Sequence, residues 1–292
     1  MSHLMIFGAG YSGKAIARAL QTDMDRISGT TRSEGKLSTL QCHAIAPYIF
    51  TGETISDELR AELLSVTHLV QSIAPSTFGD PLLRLSEGGL KSLMPNLQWC
   101  AYLSTVGVYG NHDGAWVDED TLCRPVSVRS KERVHAENAW GEACKQTDVK
   151  LCVLRLSGIY GPGRNGLINL EKGTARRLVK KDQVFNRIRV EDIGAATAFL
   201  IEQKANGIFN VTDDEPAPPQ DVVTFAAGLM GIEPPEEQSF ETAQLTEMAR
   251  SFYGENKRVS NRKLKALGFD FSHPDYRQSL REMWNAGIWR DE

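Results

Sequence analysis

No two of the five cysteines (Cys42, Cys100, Cys123, Cys144 and Cys152) stand in CxxC spacing, and their number is odd. Such scattered thiols belong to a reducing compartment, so neither a disulfide framework nor a zinc site is expected, and a cytoplasmic location is. A dominant charge is also missing. Lysine and arginine number 33 against 37 aspartates and glutamates, a net charge of −4, which gives no general attraction to nucleic acid. A long run without a charged residue, Leu93 to His112, is broken by Pro95, Asn96, Gln98 and Ser104, so it is no membrane span. A secretory leader is not expected, because the first strand begins before a cleavable segment could fit. Internal repeats and low-complexity tracts are lacking. What remains is an ordinary globular composition, 41% apolar over 292 residues, enough for one large domain or two.

What is present starts almost at the first residue. An apolar run, Leu4 to Phe7, leads into Gly8, Gly10 and Gly13 in GxGxxG spacing and then an alanine-rich helical stretch. Strand, glycine turn and helix in that order make a dinucleotide site: the glycines give a tight turn, close backbone approach to a pyrophosphate and close helix–strand packing. Tyr11 and Ser12, between the last two glycines, join them as candidate cofactor contacts. Further runs at Arg26 to Thr31, Val66 to Ile73, Leu97 to Leu103 and Leu151 to Leu156 alternate with helical patterns, which predicts parallel βαβ units. The expected fold is α/β, a Rossmann-type doubly wound parallel sheet with a smaller, mixed C-terminal substrate lobe. The NADP-binding domain is expected over 1–165 plus about 183–212, and the lobe over 166–182 and 216–292. Helices are expected over Leu170 to Lys180 and Val190 to Gln203, flanking a short Gln183 to Arg189 segment, with one more strand at Gly207 to Val211.

The second strand selects the cofactor. It runs into Arg32, with hydroxyls on Thr30, Thr31 and Ser33, and no carboxylate at its end; Glu34 falls two residues late. A carboxylate there would accept from the ribose 2′-OH of NAD, whereas a guanidinium pairs with the 2′-phosphate of NADP. NADP is therefore expected ahead of NAD, with Thr31 and Arg32 in contact with it.

Two later motifs complete a pattern: Ser104-Thr105-Val106-Gly107-Val108-Tyr109-Gly110, and Arg155-Leu156-Ser157-Gly158-Ile159-Tyr160-Gly161-Pro162-Gly163-Arg164. With the N-terminal glycines, they resemble the extended short-chain dehydrogenase/reductase family, the NAD-dependent epimerase/dehydratase group, over nearly the whole chain. Phe185 to Ile193 resembles the family's later motif, in which a strand with a histidine leads into a helix through an acidic pair; Arg189 stands in the histidine's place. The resemblance implies that Thr105 hydrogen-bonds the substrate oxygen, that the chain around Ser72 and Ala74 touches cofactor, and that Tyr160 walls the cofactor. It puts Arg164, Asn186 and Arg187 at the substrate mouth, where they suit a small anionic substrate such as a nucleotide sugar. Neither a nucleic acid nor a membrane partner is expected, and a homodimer is consistent with the family.

The family's YxxxK tyrosine is missing. On the helix of about Val128 to Gln146, either Ser127 and Lys131 or Arg129 and Arg133 occupy its place. Ala136, Ala139, Trp140, Ala143 and Cys144 fall on one arc, expected to pack on the sheet, and Arg129 and Arg133 share that arc while Lys131 projects with His135, Asn138 and Glu142. The arginine register is the better fit. Arginine stays protonated, so Arg129 cannot shuttle a proton; Arg133 suits ribose hydroxyls, and the pair suits a substrate anion. Tyr109 and Tyr160 remain for proton transfer, although packing is the plainer role for both. The expected function is an NAD(P)-binding epimerase-, dehydratase- or reductase-like protein; the alternative is an inactive NADP-sensing regulator or scaffold. His112, Asp113 and Asp118 to Asp120 read as ordinary loop charge, and no metal is expected. Trp284 and Trp289 read as core or as a docking face of the terminal helix.

Overall fold

The computed structural model describes residues 1–145 and 147–290, apart from the side chains of Met248, Ala249 and Ser251. Its strands are β1 (His3–Phe7), β2 (Arg26–Thr31), β3 (Ala46–Ile49), β4 (His68–Gln71), β5 (Trp99–Thr105), β6 (Trp116–Val117), β7 (Lys150–Leu156), β8 (Gly158–Tyr160), β9 (Arg177–Val179), β10 (Arg187–Arg189), β11 (Gly207–Val211), β12 (Glu237–Ser239) and β13 (Arg258–Val259). The helices are α1 (Tyr11–Ala19), α2 (Leu37–Cys42), α3 (Asp57–Leu63), α4 (Pro81–Leu85), α5 (Leu90–Leu93), α6 (Val128–Lys145), α7 (Gly166–Glu171), α8 (Val190–Glu202), α9 (Pro219–Met230), α10 (Glu247–Phe252), α11 (Arg262–Ala266) and α12 (Tyr276–Asn285).

Seven strands form one sheet in the order β11-β7-β5-β4-β1-β2-β3, and the expected α/β Rossmann-type sheet is thereby borne out. β1 is buried along its whole length and pairs in parallel with β2 on one side and β4 on the other. Burial on both faces is what makes a parallel strand an unbroken apolar run rather than an alternating one. Strand order reverses between β1 and β4, which puts the switch point, where such sheets bind ligands, beyond the carboxyl ends of those two strands.

The chain forms two compact units. The first comprises Met1–Val108, Val128–Arg155 and Ile193–Phe209; the second comprises Tyr109–Ser127, Leu156–Asp192 and the described residues from Asn210 onward. Phe7, Phe50, Leu59, Leu63, Tyr102 and Trp140 belong to the core of the first. In the second, Tyr160, Leu167, Tyr276, Leu280, Met283 and Trp289 pack together, with the Trp284 and Trp289 rings 5.7 Å apart. The second unit also carries three two-stranded parallel ribbons: β8 with β10, β9 with β12, and β6 with β13.

Three local expectations change. The helix expected over Leu170 to Lys180 is instead α7, ending at Glu171, followed by β9. Gly173, at φ +65°, supplies the left-handed residue that terminates a helix. Arg177–Val179 then pairs with Glu237–Ser239, a partner that no local pattern announces. On α6 the buried residues are Ser130, Ala136, Glu137, Trp140 and Cys144, while Ala139 is exposed. The helix ends at Lys145, and its expected last residue, Gln146, lies outside the described residues. Finally, β3 is an additional strand: short, at the sheet edge, and carrying Pro47, which an edge tolerates.

Candidate functional site

In the first unit, the residues that follow β1, β2, β4 and β5 share the carboxyl edge of one parallel sheet. Gly8 sits at φ +80°, and a Cβ there would stand 3.0 Å from Ile73 Cγ1 and 3.3 Å from the Ile73 nitrogen. The turn is fastened by the Gly8 N–H donating to Thr30 Oγ1 (2.9 Å) and the Ala9 N–H to the Thr30 carbonyl (2.9 Å). Gly13 is buried, where a Cβ would meet Ile6 Cγ2 at 3.1 Å and the Gly8 carbonyl at 3.3 Å. Gly10 differs: a Cβ would find only the Gly8 carbonyl, at 4.0 Å. The backbone there is open from outside, at the N-terminus of α1, whose first turn has no acidic residue and no side-chain cap. Open glycine backbone at an uncapped helix N-terminus fits a pyrophosphate. Tyr11 and Ser12 lie half-buried in that first turn. Beyond β2, Thr31 is half-buried and Arg32 is exposed.

The loop after β4 holds Ser72, half-buried, and Ala74, exposed. It is fastened by Gln71, fully buried, whose amide donates to Asp80 (2.9 Å) and accepts from the Ile73 N–H (3.2 Å). Burial pushes the Asp80 carboxyl up, against the hydrogen bonds it accepts. The Ser72 N–H meanwhile bonds the Phe7 carbonyl (2.9 Å), joining this loop to the end of β1.

At the end of β5, the half-buried Thr105 accepts from the Gly107 N–H (3.1 Å). Arg133, one turn of α6 beyond the exposed Arg129, donates through Nη1 to the Leu103 carbonyl (2.6 Å) and the Tyr102 hydroxyl (3.1 Å). Burial pushes Tyr102 up to about 12, with the Arg133 charge working against that rise. Behind this pair, Ser104 donates to Glu137 Oε1 (2.5 Å), and Arg155 grips the same carboxylate through Nη2 (2.7 Å) and Nε (3.2 Å). Sequence reasoning passed over Glu137, Arg155, Gln71 and Asp80. The one available signal was Glu137 itself, a carboxylate one helical turn past Arg133 and so on the same side of α6. Lys131 is exposed.

Tyr109, Tyr160, Arg164, Asn186 and Arg187 all belong to the second unit. Tyr109 is fully buried and its hydroxyl donates to Asn210 Oδ1 (2.7 Å). Asn186 donates to the Lys257 carbonyl (2.9 Å) and accepts from the Val259 N–H (2.8 Å), so its amide fastens β13. Arg164 is exposed on a turn closed by reciprocal backbone bonds with Gly161. Arg189 is buried and bidentate on Glu191 (2.6 and 2.9 Å), with a further bond to Ser279 Oγ (2.8 Å). Asp192, next in the acidic pair, accepts from the Ser272 and His273 N–H groups and from the His273 ring. Arg187 donates to the Phe185 and Ala217 carbonyls (2.9 and 3.1 Å).

No protein-family model matches the chain. Protein YeeZ of Escherichia coli strain K12 is 26% identical over 289 residues, covering 94% of this chain and 97% of that protein. The solved structure of a functionally unknown conserved protein from Silicibacter pomeroyi DSS is 40% identical, covers 98% of this chain and 99% of its own, and superimposes with a TM-score of 0.88. One from Methylobacillus flagellatus, provisionally described as an NAD-dependent epimerase/dehydratase, is 26% identical over 98% of both chains, with a TM-score of 0.71. At 18% identity, a dTDP-glucose 4,6-dehydratase from Bacillus anthracis in complex with NAD and a human epimerase family protein with NADPH share the fold, with TM-scores of 0.76 and 0.72. A 3-diazoavenalumate denitrifying reductase from Streptomyces is 30% identical over 152 residues, which is 46% of this chain and 47% of that protein. The chain belongs to the extended short-chain dehydrogenase/reductase family, in its NAD-dependent epimerase/dehydratase group.

Proposed function

We propose that this protein binds NADP(H) and transfers hydride to or from a small anionic substrate. Relatives solved with NAD or NADPH support a nicotinamide cofactor. The observation that carries the choice of NADP is Arg32, exposed directly after β2 with no carboxylate at the strand end. Gly8, Gly10 and Gly13 would hold the pyrophosphate, and the chain at Ser72 and Ala74 would line the path toward the nicotinamide. Bound nicotinamide supplies or accepts the hydride. Thr105 orients the substrate oxygen, and Arg133, steadied by the Leu103 carbonyl and Tyr102, turns its other N–H groups to ribose hydroxyls. Arg129 holds a substrate anion, since a guanidinium does not release its proton at ordinary pH. Tyr109 gives its hydrogen bond to Asn210, which leaves Tyr160, solvent or the substrate itself as the proton source.

A second reading follows from the arginine register of α6: with Arg129 in place of the family's proton-donating tyrosine, the protein suits an NADP-sensing regulator that no longer turns over. Calorimetric titration with NADPH and, separately, NADH tests both. Tight NADPH and weak NADH binding is expected, with Arg32→Glu weakening NADPH by well over tenfold and sparing NADH. Equal losses for the two nucleotides would overturn the assignment of Arg32. Selective NADPH binding without turnover across a screen of anionic carbonyl substrates would shift the conclusion to sensing.

A further inference from the structure

In the first unit, β5 and α6 meet along a seam with Arg133 at one end and a pair of thiols at the other. Arg133, Glu137, Trp140 and Cys144 follow one another at spacings of four, three and four, which places them on one face of α6. Cys100, Tyr102 and Ser104 alternate along β5 and so share one of its faces. The two rows meet pairwise: Arg133 on Tyr102, Glu137 on Ser104, Trp140 stacked on Tyr102 with ring centroids 6.2 Å apart, and Cys144 on Cys100.

The two sulfurs stand 3.6 Å apart and share a hydrogen bond, although 44 residues separate them in sequence. A disulfide spans about 2.05 Å, which leaves a gap of about 1.5 Å, less than the length of the bond itself. Cys144 is 5% exposed and Cys100 not at all. Cys144 is also the penultimate residue of α6, and a helix end is where local opening is easiest. The hydrogen bond with Cys100 holds the Cys144 thiol below its ordinary value, against burial, and pushes the Cys100 thiol up. Cys144 is thus the readier nucleophile of the two. Cys152, the third buried thiol, turns instead to the Ala205 carbonyl (3.3 Å).

We propose that Cys100 and Cys144 are a reversible thiol pair that hydrogen peroxide converts to a disulfide, locking α6 onto β5. The Cys144 sulfur attacks one peroxide oxygen, the O–O bond breaks, and the other oxygen leaves as water with the thiol proton, so that Cys144 becomes a sulfenic acid. The Cys100 sulfur then displaces the sulfenic hydroxyl, which takes the Cys100 proton and leaves as a second water. Two thiols and one peroxide give one disulfide and two waters; the sulfurs lose two electrons and the peroxide oxygens gain them. A dithiol reductant reverses the bond by exchange.

The test treats reduced protein with hydrogen peroxide, alkylates it in denaturant and maps its peptides without reduction. A Cys100–Cys144 linked peptide, two hydrogens lighter than its parts, is expected, at a yield independent of protein concentration and abolished by dithiothreitol. Cys42, which is exposed, gauges the dose within the same sample. Cys100→Ala should stop at a sulfenic acid on Cys144, which dimedone traps, while Cys144→Ala should leave Cys100 unmodified. The peptide map of the parent decides the pairing without either variant. In a Cys42→Ser, Cys123→Ser background the oxidised protein should melt higher than the reduced one, because the cross-link constrains the unfolded chain. Cys100 and Cys144 both still reduced once Cys42 is oxidised, a link from Cys100 to Cys152, or a melting temperature lowered by oxidation would overturn the pair.

Discussion

Gly10 and Gly13 belong to one motif but answer to different constraints, which makes them a test of what the turn is for. Valine at Gly13 would press on Ile6 and the Gly8 carbonyl, and overpacking of that kind costs about 1–3 kcal/mol. Gly13→Val should therefore lower the melting temperature and nucleotide affinity together. Gly10 has φ −83° and open space where a Cβ would go. Gly10→Ala should leave the melting temperature unchanged while weakening NADPH, because the added methyl sits where pyrophosphate must approach the backbone. A Gly10→Ala protein that binds NADPH as tightly as the parent would argue that the phosphates lie elsewhere. The arginines of α6 are separable in the same way. Arg129→Ala should alter substrate-anion affinity and Lys131→Ala should not; an effect at Lys131 alone would favour the other register.

Between elements, the buried contact of β5, α6 and β7 decides how well the site is held. Glu137 of α6 joins Ser104 of β5 to Arg155 of β7, and both ionic partners are nearly inaccessible to solvent. Removing one member of a buried pair strands the other charge, at about 3–5 kcal/mol. Glu137→Leu should accordingly destabilise the protein far more in urea unfolding than the joint change Glu137→Leu with Arg155→Leu, whose apolar replacements leave no stranded charge. Similar losses in the single and double variants would mean the pair is not coupled. This contact also shows where sequence reasoning stops. β1, β2 and the glycine turn were legible because a doubly covered parallel strand and its turn have a local signature, and α8 likewise because it is a long, largely apolar run opened by an acidic pair. β3 was hidden by its brevity and its proline, β9 by a partner some 60 residues away in sequence. Glu137 and Asp213 were hidden because a carboxylate on a helix or in an acidic run looks solvated until the fold buries it.

Across the whole molecule, the shifted histidines of the two units pull in opposite directions. In the first, burial holds the His3 imidazole below its ordinary 6.5, with Glu62 opposing, and burial alone does so for His68. A depressed imidazole contributes stability in full above 6.5, and that contribution shrinks as acid protonates the unfolded chain first. In the second unit, burial works against the His273 imidazolium, but Asp192 and Glu282 outweigh it and raise the group. Its contribution is complete below 6.5 and is lost as pH rises through the raised folded value. Asp213 acts in the same sense, because its raised carboxyl binds a proton in the folded state that the unfolded chain has already released. Hydrogen–deuterium exchange at pH 5.5 and pH 8, corrected for intrinsic rates, should show β1 and β4 losing protection on the acid side and the Ser272–Trp284 segment losing it on the alkaline side. His273→Gln should reduce the second slope and leave the first alone. Were both units to lose protection on the same side, or the His273 variant to keep its parent's alkaline slope, the balance of burial against Asp192 would have been drawn the wrong way round.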